Sequence, residues 1–133
     1  MVDLFAGLAV SQYQRALTWY KRLMGSEPAF LPNATEEVWE LAGHRYLYIA
    51  ELPERAGRAL LTVFVDDLDD GVGSIRARGI QPAARETYGN GLRKVIYRDP
   101  AANKSASAAL RPGDWLVRTA GPALRTARPL PAA

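Results

Sequence analysis

The chain of 133 residues contains no cysteine and a single histidine. Without cysteine there is no disulfide framework, no thiol nucleophile and no thiolate metal site, which fits a cytoplasmic protein. No apolar run approaches the ~20 residues of a membrane-spanning helix, and the start of the chain lacks the basic segment of a signal peptide. We therefore expect a cytoplasmic protein with no membrane partner.

Acidic residues are scarce only in the last quarter of the chain, which contains four arginines and a single aspartate. The net charge of +3 therefore reflects the C-terminal region and no basic stripe elsewhere. No basic stripe interleaved with several aromatic residues and no helix-turn-helix pattern accompanies these arginines, so we expect no nucleic-acid partner. A hydrophobic content of 48% predicts one globular domain with its own core.

Two segments, Leu4–Gly25 and Leu60–Gly79, share one pattern: an apolar strand, a Ser or Asp turn, and an amphipathic helix closed by glycine. Aligning Val10 with Val65 places Ser11 on Asp66, so the expected helix caps coincide. The chain is therefore predicted to use one βα-led module twice. We expect a domain over residues 1–118, with modules 1–57 and 58–110, and a flexible tail over 119–133.

The pattern predicts these elements in the first module: strands over 4–10, 29–31, 37–41 and 45–51, and a helix over 14–24 capped by Ser11. Residues 52–58 carry Pro53 and Gly57 and are interpreted as the linker. The second module repeats the plan with strands over 60–65, 83–88 and 92–98 and a helix over 68–78 capped by Asp66. Asn90 and Gly91 between two β-like runs predict a hairpin.

Three motifs resemble the vicinal oxygen chelate superfamily: V-S-x-Y-x-x-A-L-x-W-Y at 10–20, R-G-I at 78–80, and Y-R-D-P at 97–100 followed by Asn103. That superfamily includes glyoxalases, extradiol dioxygenases, fosfomycin-resistance enzymes and bleomycin-resistance proteins. The resemblance implies an α+β fold, in which two paired βαβββ modules form a curved, mostly antiparallel eight-stranded sheet around a cleft.

Enzymes of this superfamily usually hold a divalent metal in the cleft. The resemblance transfers the ligand positions to Phe5, Leu60 and Ala106, and none of these side chains can bind a metal. His44, the one histidine, lies in a predicted hairpin turn and is interpreted as a surface residue. We therefore expect no metal and no cofactor, and the sequence favours a binding protein over an enzyme.

Aromatic residues are the remaining candidates for ligand contacts. Trp39, Tyr46 and Tyr48 lie on two strands of one predicted hairpin, and Tyr46 and Tyr48 share a face because strand side chains alternate. Tyr88 and Arg93 flank the second-module hairpin and are predicted to close the cleft from the other half. The alternative is that these rings are ordinary core.

The expected function is metal-independent binding of a small, partly aromatic ligand, in the manner of drug-sequestering resistance proteins. Two alternatives stay open: a metal-dependent glyoxalase, lyase or dioxygenase with its ligands elsewhere, and a non-catalytic dimerising domain. Because each module leaves strand edges and an apolar face, a homodimer is expected.

The segment after Pro100 consists of small residues, AANKSASAAL, which are poor formers of a central strand. If the reading frame starts one base earlier, synonymous codons for this run can instead encode a different segment. That segment is Gly-Gly, then two polar residues, then a strand that contains Ile or Val and Phe. A single-base frameshift near Pro100 is therefore one hypothesis for residues 101–133. A natural, partly disordered extension is the other.

Overall fold

The computed structural model describes residues 2–109, which form two consecutive βαβββ units. The first unit contains β1 (Leu4–Val10), α1 (Tyr13–Met24), β2 (Phe30–Asn33), β3 (Glu36–Ala42) and β4 (Arg45–Glu51). A 3-10 turn at Pro53–Arg55 leads to β5 (Leu60–Phe64), α2 (Leu68–Ala77), β6 (Ala84–Thr87), β7 (Arg93–Arg98) and β8 (Lys104–Ala109). Within these residues, neither helix is long and apolar enough to cross a bilayer.

The strands form two four-stranded sheets with the same internal order, β1-β4-β3-β2 and β5-β8-β7-β6. The pairs β1/β4 and β5/β8 are parallel, and the other neighbours are antiparallel. The predicted α+β class and paired βαβββ plan are therefore confirmed. The structure differs from the expected single eight-stranded sheet, because no strand pairing among residues 2–109 joins the two sheets and side chains connect the units instead.

The N-cap of each helix lies one residue later in the sequence than predicted. Ser11 was expected to cap α1, but Gln12 occupies the cap position and makes no side-chain cap bond. The Glu51 carboxylate at the end of β4 accepts from the Tyr13 backbone N–H at 3.0 Å instead. In the second unit the cap is Asp67, one residue after the expected Asp66, and its Oδ1 accepts from the Asp70 N–H at 2.9 Å. A tertiary contact from β4 thus replaces the local cap of α1.

Each helix covers one face of its sheet and forms a core there. The first core holds Leu8, Val10, Tyr13, Ala16, Tyr20, Trp39, Leu47 and Ile49, and the second holds Leu68, Val72, Ile75, Ile80, Val95 and Tyr97. Trp19 and Leu23 of α1 contact both cores, so the two units share apolar packing. Arg78, after α2, donates to the Leu23 carbonyl at 3.0 Å, where a cation complements the C-terminal end of α1.

A buried polar cluster at the turn between β7 and β8 joins the two units. Asn103, which has no exposed surface, donates through Nδ2 to the Ala9 carbonyl at 2.7 Å and to Asp99 Oδ2 at 2.9 Å. Its Oδ1 accepts from the Ala59 N–H at 2.9 Å. Tyr20 Oη donates to the same Asp99 carboxylate at 2.6 Å. The motif D-P-x-x-N therefore connects β1, α1 and the start of β5.

Lys104–Ala109 forms a central strand, contrary to the expectation from its small residues. β8 pairs with β5 on one side and with β7 on the other, so backbone hydrogen bonding on both edges compensates for weak side-chain packing. Ala102 just before it has a φ of 71°, which the glycine of the shifted reading would adopt without strain. Sequencing the genomic DNA across this segment tests the frameshift; the predicted tail over 119–133 lies outside the described residues.

Candidate functional site

The side of the first sheet away from its helix carries the candidate ligand-contacting residues Phe5, Tyr46 and Tyr48. Because Leu8, Leu47 and Trp39 pack under α1, their strand neighbours Phe5, Tyr46 and Tyr48 point the other way. We call this side the helix-free face. Side chains alternate in the same way in the second sheet. Successive residues along each strand point in turn towards α2 and towards the helix-free face.

Three aromatic rings from β1 and β4 lie on the helix-free face of the first sheet, and we call them the aromatic patch: Phe5, Tyr46 and Tyr48. Phe5 and Tyr46 are direct partners in the parallel β1/β4 ladder. Their rings stack with centroids 4.5 Å apart and planes 14° apart. Phe5 remains 47% exposed, so the stack offers an apolar surface to a planar ligand.

Tyr48 can lie in the aromatic patch because its direct partner in the β1/β4 ladder is a glycine. Gly7 lies opposite Tyr48, and a Cβ built on Gly7 would come within 2.5 Å of the Tyr48 Cζ and Oη atoms. The ring therefore rests directly against the backbone of β1. Any larger residue at position 7 would displace the Tyr48 ring.

One side of the patch is acidic. Glu40 of β3 is the direct cross-strand partner of Tyr46. Burial, together with the neighbouring Glu40 and Asp3 carboxylates, raises the pKa of the Tyr46 hydroxyl. The neutral form of the hydroxyl is therefore favoured, and a hydrogen bond to the Glu40 carboxylate contributes to the shift.

The other predicted site residues lie elsewhere in the structure. Trp39 is only 2% exposed, pairs with Leu47, and donates through Nε1 to the Ser26 carbonyl at 3.2 Å on the helix side of the first sheet. Tyr88 is exposed and donates to Glu86 at 2.7 Å. Arg93 forms an ion pair with Asp69 of α2 at 3.0 Å. Of the predicted set, the structure brings together only Tyr46 and Tyr48.

The three positions to which the superfamily resemblance transfers metal ligands carry no suitable donors. Phe5 is stacked on Tyr46, Leu60 is 80% exposed, and Ala106 is a buried methyl group in β8. Ala106 pairs with Thr62 as Tyr48 pairs with Gly7, so Tyr48 is the first-unit counterpart of Ala106. No group of three or more His, Cys, Asp or Glu side chains in residues 2–109 is arranged to hold a metal ion. The donor set therefore does not fit a divalent metal.

A separate cavity of about 230 Å³ lies on the other side of β1. It opens between the start of α1 and the turn after β7, and its lining includes Gln12, Arg15 and Pro100. Ligand pockets for drug-sized molecules usually measure ~300–1,000 Å³, so this cavity is small for that purpose. The helix-free face is the better candidate for a binding surface.

Comparison with solved structures places this arrangement in a family. A glyoxalase/bleomycin resistance protein from Catenulispora acidiphila is 46% identical, with a TM-score of 0.80 over 83% of this chain and 99% of that chain. The chain belongs to the glyoxalase/bleomycin resistance protein family. The expected superfamily membership is therefore confirmed. No protein-family model and no curated protein matches the chain.

Solved structures of lower sequence identity share the fold. A bleomycin resistance determinant encoded on transposon Tn5 superposes with a TM-score of 0.65 at 17% identity, over 84% of this chain and 99% of that one. Lactoylglutathione lyase from Agrobacterium tumefaciens gives a TM-score of 0.64 at 18% identity, over 81% of this chain and 92% of that one. These two neighbours bear the names of a resistance protein and of an enzyme, so the fold alone does not distinguish binding from catalysis.

Proposed function

We propose that this protein binds a small, partly aromatic molecule without a metal ion, as a sequestering protein of the glyoxalase/bleomycin resistance family. The proposal is carried by the apolar side chains of Phe5, Leu60 and Ala106, which occupy the positions to which the superfamily resemblance transfers metal ligands. Phe5 also forms part of an exposed aromatic stack. Apolar groups at these positions favour an uncharged ring over a hydrated cation.

The aromatic patch is the proposed contact surface. Stacked and adjacent rings recognise a planar ligand through area burial and ring geometry, each pair adding ~0.5–1.5 kcal/mol beyond burial. The Tyr46 and Tyr48 hydroxyls add polar tips that orient the ligand. Similarity to a bleomycin resistance determinant and to an antibiotic binding protein from a Streptomyces species supports antibiotics as the first ligands to test.

We further propose that the protein acts as a cytoplasmic homodimer. Large apolar side chains at the surface include Leu4, Leu31 and Leu60. Burying exposed apolar side chains such as these against a second copy would favour association. The second copy would cover them and complete the binding surface.

Metal independence is tested by elemental analysis and thermal unfolding of the purified chain. We expect substoichiometric divalent metal and the same Tm with and without EDTA. A bound ion at a hundredfold excess over its Kd would add about 2.7 kcal/mol, so its removal would lower Tm clearly. One metal per chain would overturn the proposal in favour of a metal-dependent enzyme.

Ligand binding is tested by thermal shift with bleomycin and a panel of neutral planar aromatic compounds. Compounds that raise Tm in the wild type are expected to lose most of their effect in Tyr46→Ala. Tyr88→Ala is the matched control, because Tyr88 is an exposed tyrosine outside the aromatic patch. Equal losses in both variants would indicate that Tyr88 also contacts the ligand. If none of the compounds raises Tm, the proposal is contradicted.

A further inference from the structure

Two cations lie directly opposite each other on the helix-free face of the second sheet. Arg98 at the end of β7 pairs with Lys104 at the start of β8. Direct partners in an antiparallel ladder have Cβ atoms about 5 Å apart on one face, and like charges there destabilise the sheet. The pair is therefore an energetic cost to the free protein.

Nothing in residues 2–109 neutralises this pair through an ion pair. Arg98 donates one N–H to the Ala102 carbonyl at 3.2 Å, which leaves further guanidinium donors. The adjacent carboxylate of Asp99 already accepts four hydrogen bonds, two at each oxygen, from the donors Tyr20 Oη, Ala101 N, Asn103 N and Asn103 Nδ2. Within the described part of the chain, the two cations thus lie side by side with unused donor capacity.

The pair borders Leu60 and Ala106, two positions to which the superfamily resemblance transfers metal ligands. Lys104 is the direct partner of Leu60 in the β5/β8 ladder, and Ala106 follows two residues later on the same face. The equivalent row of the first sheet runs Phe5, Tyr46, Glu40 and contains no cation. The second sheet therefore carries two cationic side chains, Arg98 and Lys104, where the equivalent row of the first sheet carries none.

We propose that Arg98 and Lys104 bind an oxyanion of the ligand, which makes the ligand class an aromatic carboxylate. This inference rests on the proposed small-molecule binding. A guanidinium offers a fork of N–H donors to two carboxylate oxygens, and the neighbouring ammonium adds a charge-assisted hydrogen bond. Binding an anion also relieves the repulsion between the two cations, so affinity and stability rise together.

The test measures thermal unfolding of the full chain with benzoate, benzamide and inorganic phosphate, against sodium chloride at equal ionic strength. Benzoate is expected to raise Tm more than the neutral benzamide. Lys104→Met should weaken benzoate binding about tenfold and leave benzamide unchanged. Lys94→Met is the matched control, because Lys94 lies on the same face of β7 but faces Ala108. It should keep the benzoate response.

Lys104→Glu provides a second variant that does not depend on an added ligand. It converts the like-charge pair into an opposite-charge pair, so we expect a higher Tm without ligand and no response to benzoate or phosphate. In the wild type, a smaller response to phosphate than to benzoate is expected, and a response to phosphate as large as that to benzoate would overturn the aromatic carboxylate as the ligand class.

The results separate this inference from the proposed function. Benzamide or bleomycin binding without preference for benzoate would overturn the oxyanion site and leave small-molecule binding intact. Equal loss of the benzoate response in Lys94→Met and Lys104→Met would also overturn it, since diffuse surface charge would then explain the effect. If neutral and anionic aromatic compounds all fail to bind, both proposals fall.

Discussion

Replacing Asn103 by alanine is expected to destabilise the protein by about 3–5 kcal/mol. The change removes three hydrogen bonds at a site with no exposed surface, and it leaves the Ala9 carbonyl and the Ala59 N–H without their partner. Each buried backbone group left unsatisfied costs about 1–3 kcal/mol. Because a domain is usually stable by only ~5–15 kcal/mol, the loss would be a large fraction of the total.

Urea denaturation followed by tryptophan fluorescence measures this loss, since Trp39 is buried in the first core. Asn103→Asp should destabilise at least as much, because a carboxylate oxygen would then face the Ala9 carbonyl and Asp99. Asn90→Ala is the matched control: Asn90 makes one exposed hydrogen bond to the Leu92 N–H, so its loss should cost below about 1 kcal/mol. A cost below about 1 kcal/mol for Asn103→Ala would refute the view that the buried polar cluster around Asn103 holds the two units together.

Three further predictions follow from other features. Ala102→Gly should stabilise the protein by about 1 kcal/mol, because Ala102 has a φ of 71°; an unchanged urea midpoint would argue against strain there. Burial and Asp99 raise the pKa of Tyr20 above the value of 10.0 of a free tyrosine, so the unfolded chain loses this proton first. Stability should therefore be full below pH ~10 and fall above it by about 1.4 kcal/mol per pH unit, a slope that Tyr20→Phe should reduce; the same slope in both proteins would count against this account. Light scattering should show a homodimer at micromolar concentration and a shift to monomer in Leu31→Lys, whereas a monomeric wild type would contradict the proposed assembly.

Much of the local structure follows from sequence patterns alone. Alternating apolar residues identified the strands, glycines closed the helices, and Asn90 with Gly91 marked the hairpin, where the Tyr88 N–H donates to the Leu92 carbonyl at 2.8 Å. The repeated pattern also indicated two βαβββ units. These features depend on periodicity and on the backbone preferences of single residues, which the neighbouring sequence determines.

The composition of the site, in contrast, depends on strand register and on contacts between distant residues. Trp39 and Tyr48 belong to one hairpin, yet only the pairing of Trp39 with Leu47 and of Tyr48 with Val38 shows that they lie on opposite faces. Likewise, Arg98 and Lys104 become direct partners only when the turn between β7 and β8 folds around Asn103. A shift of one residue in register would reverse every side chain on a strand, so the tertiary structure alone decides which residues share a face.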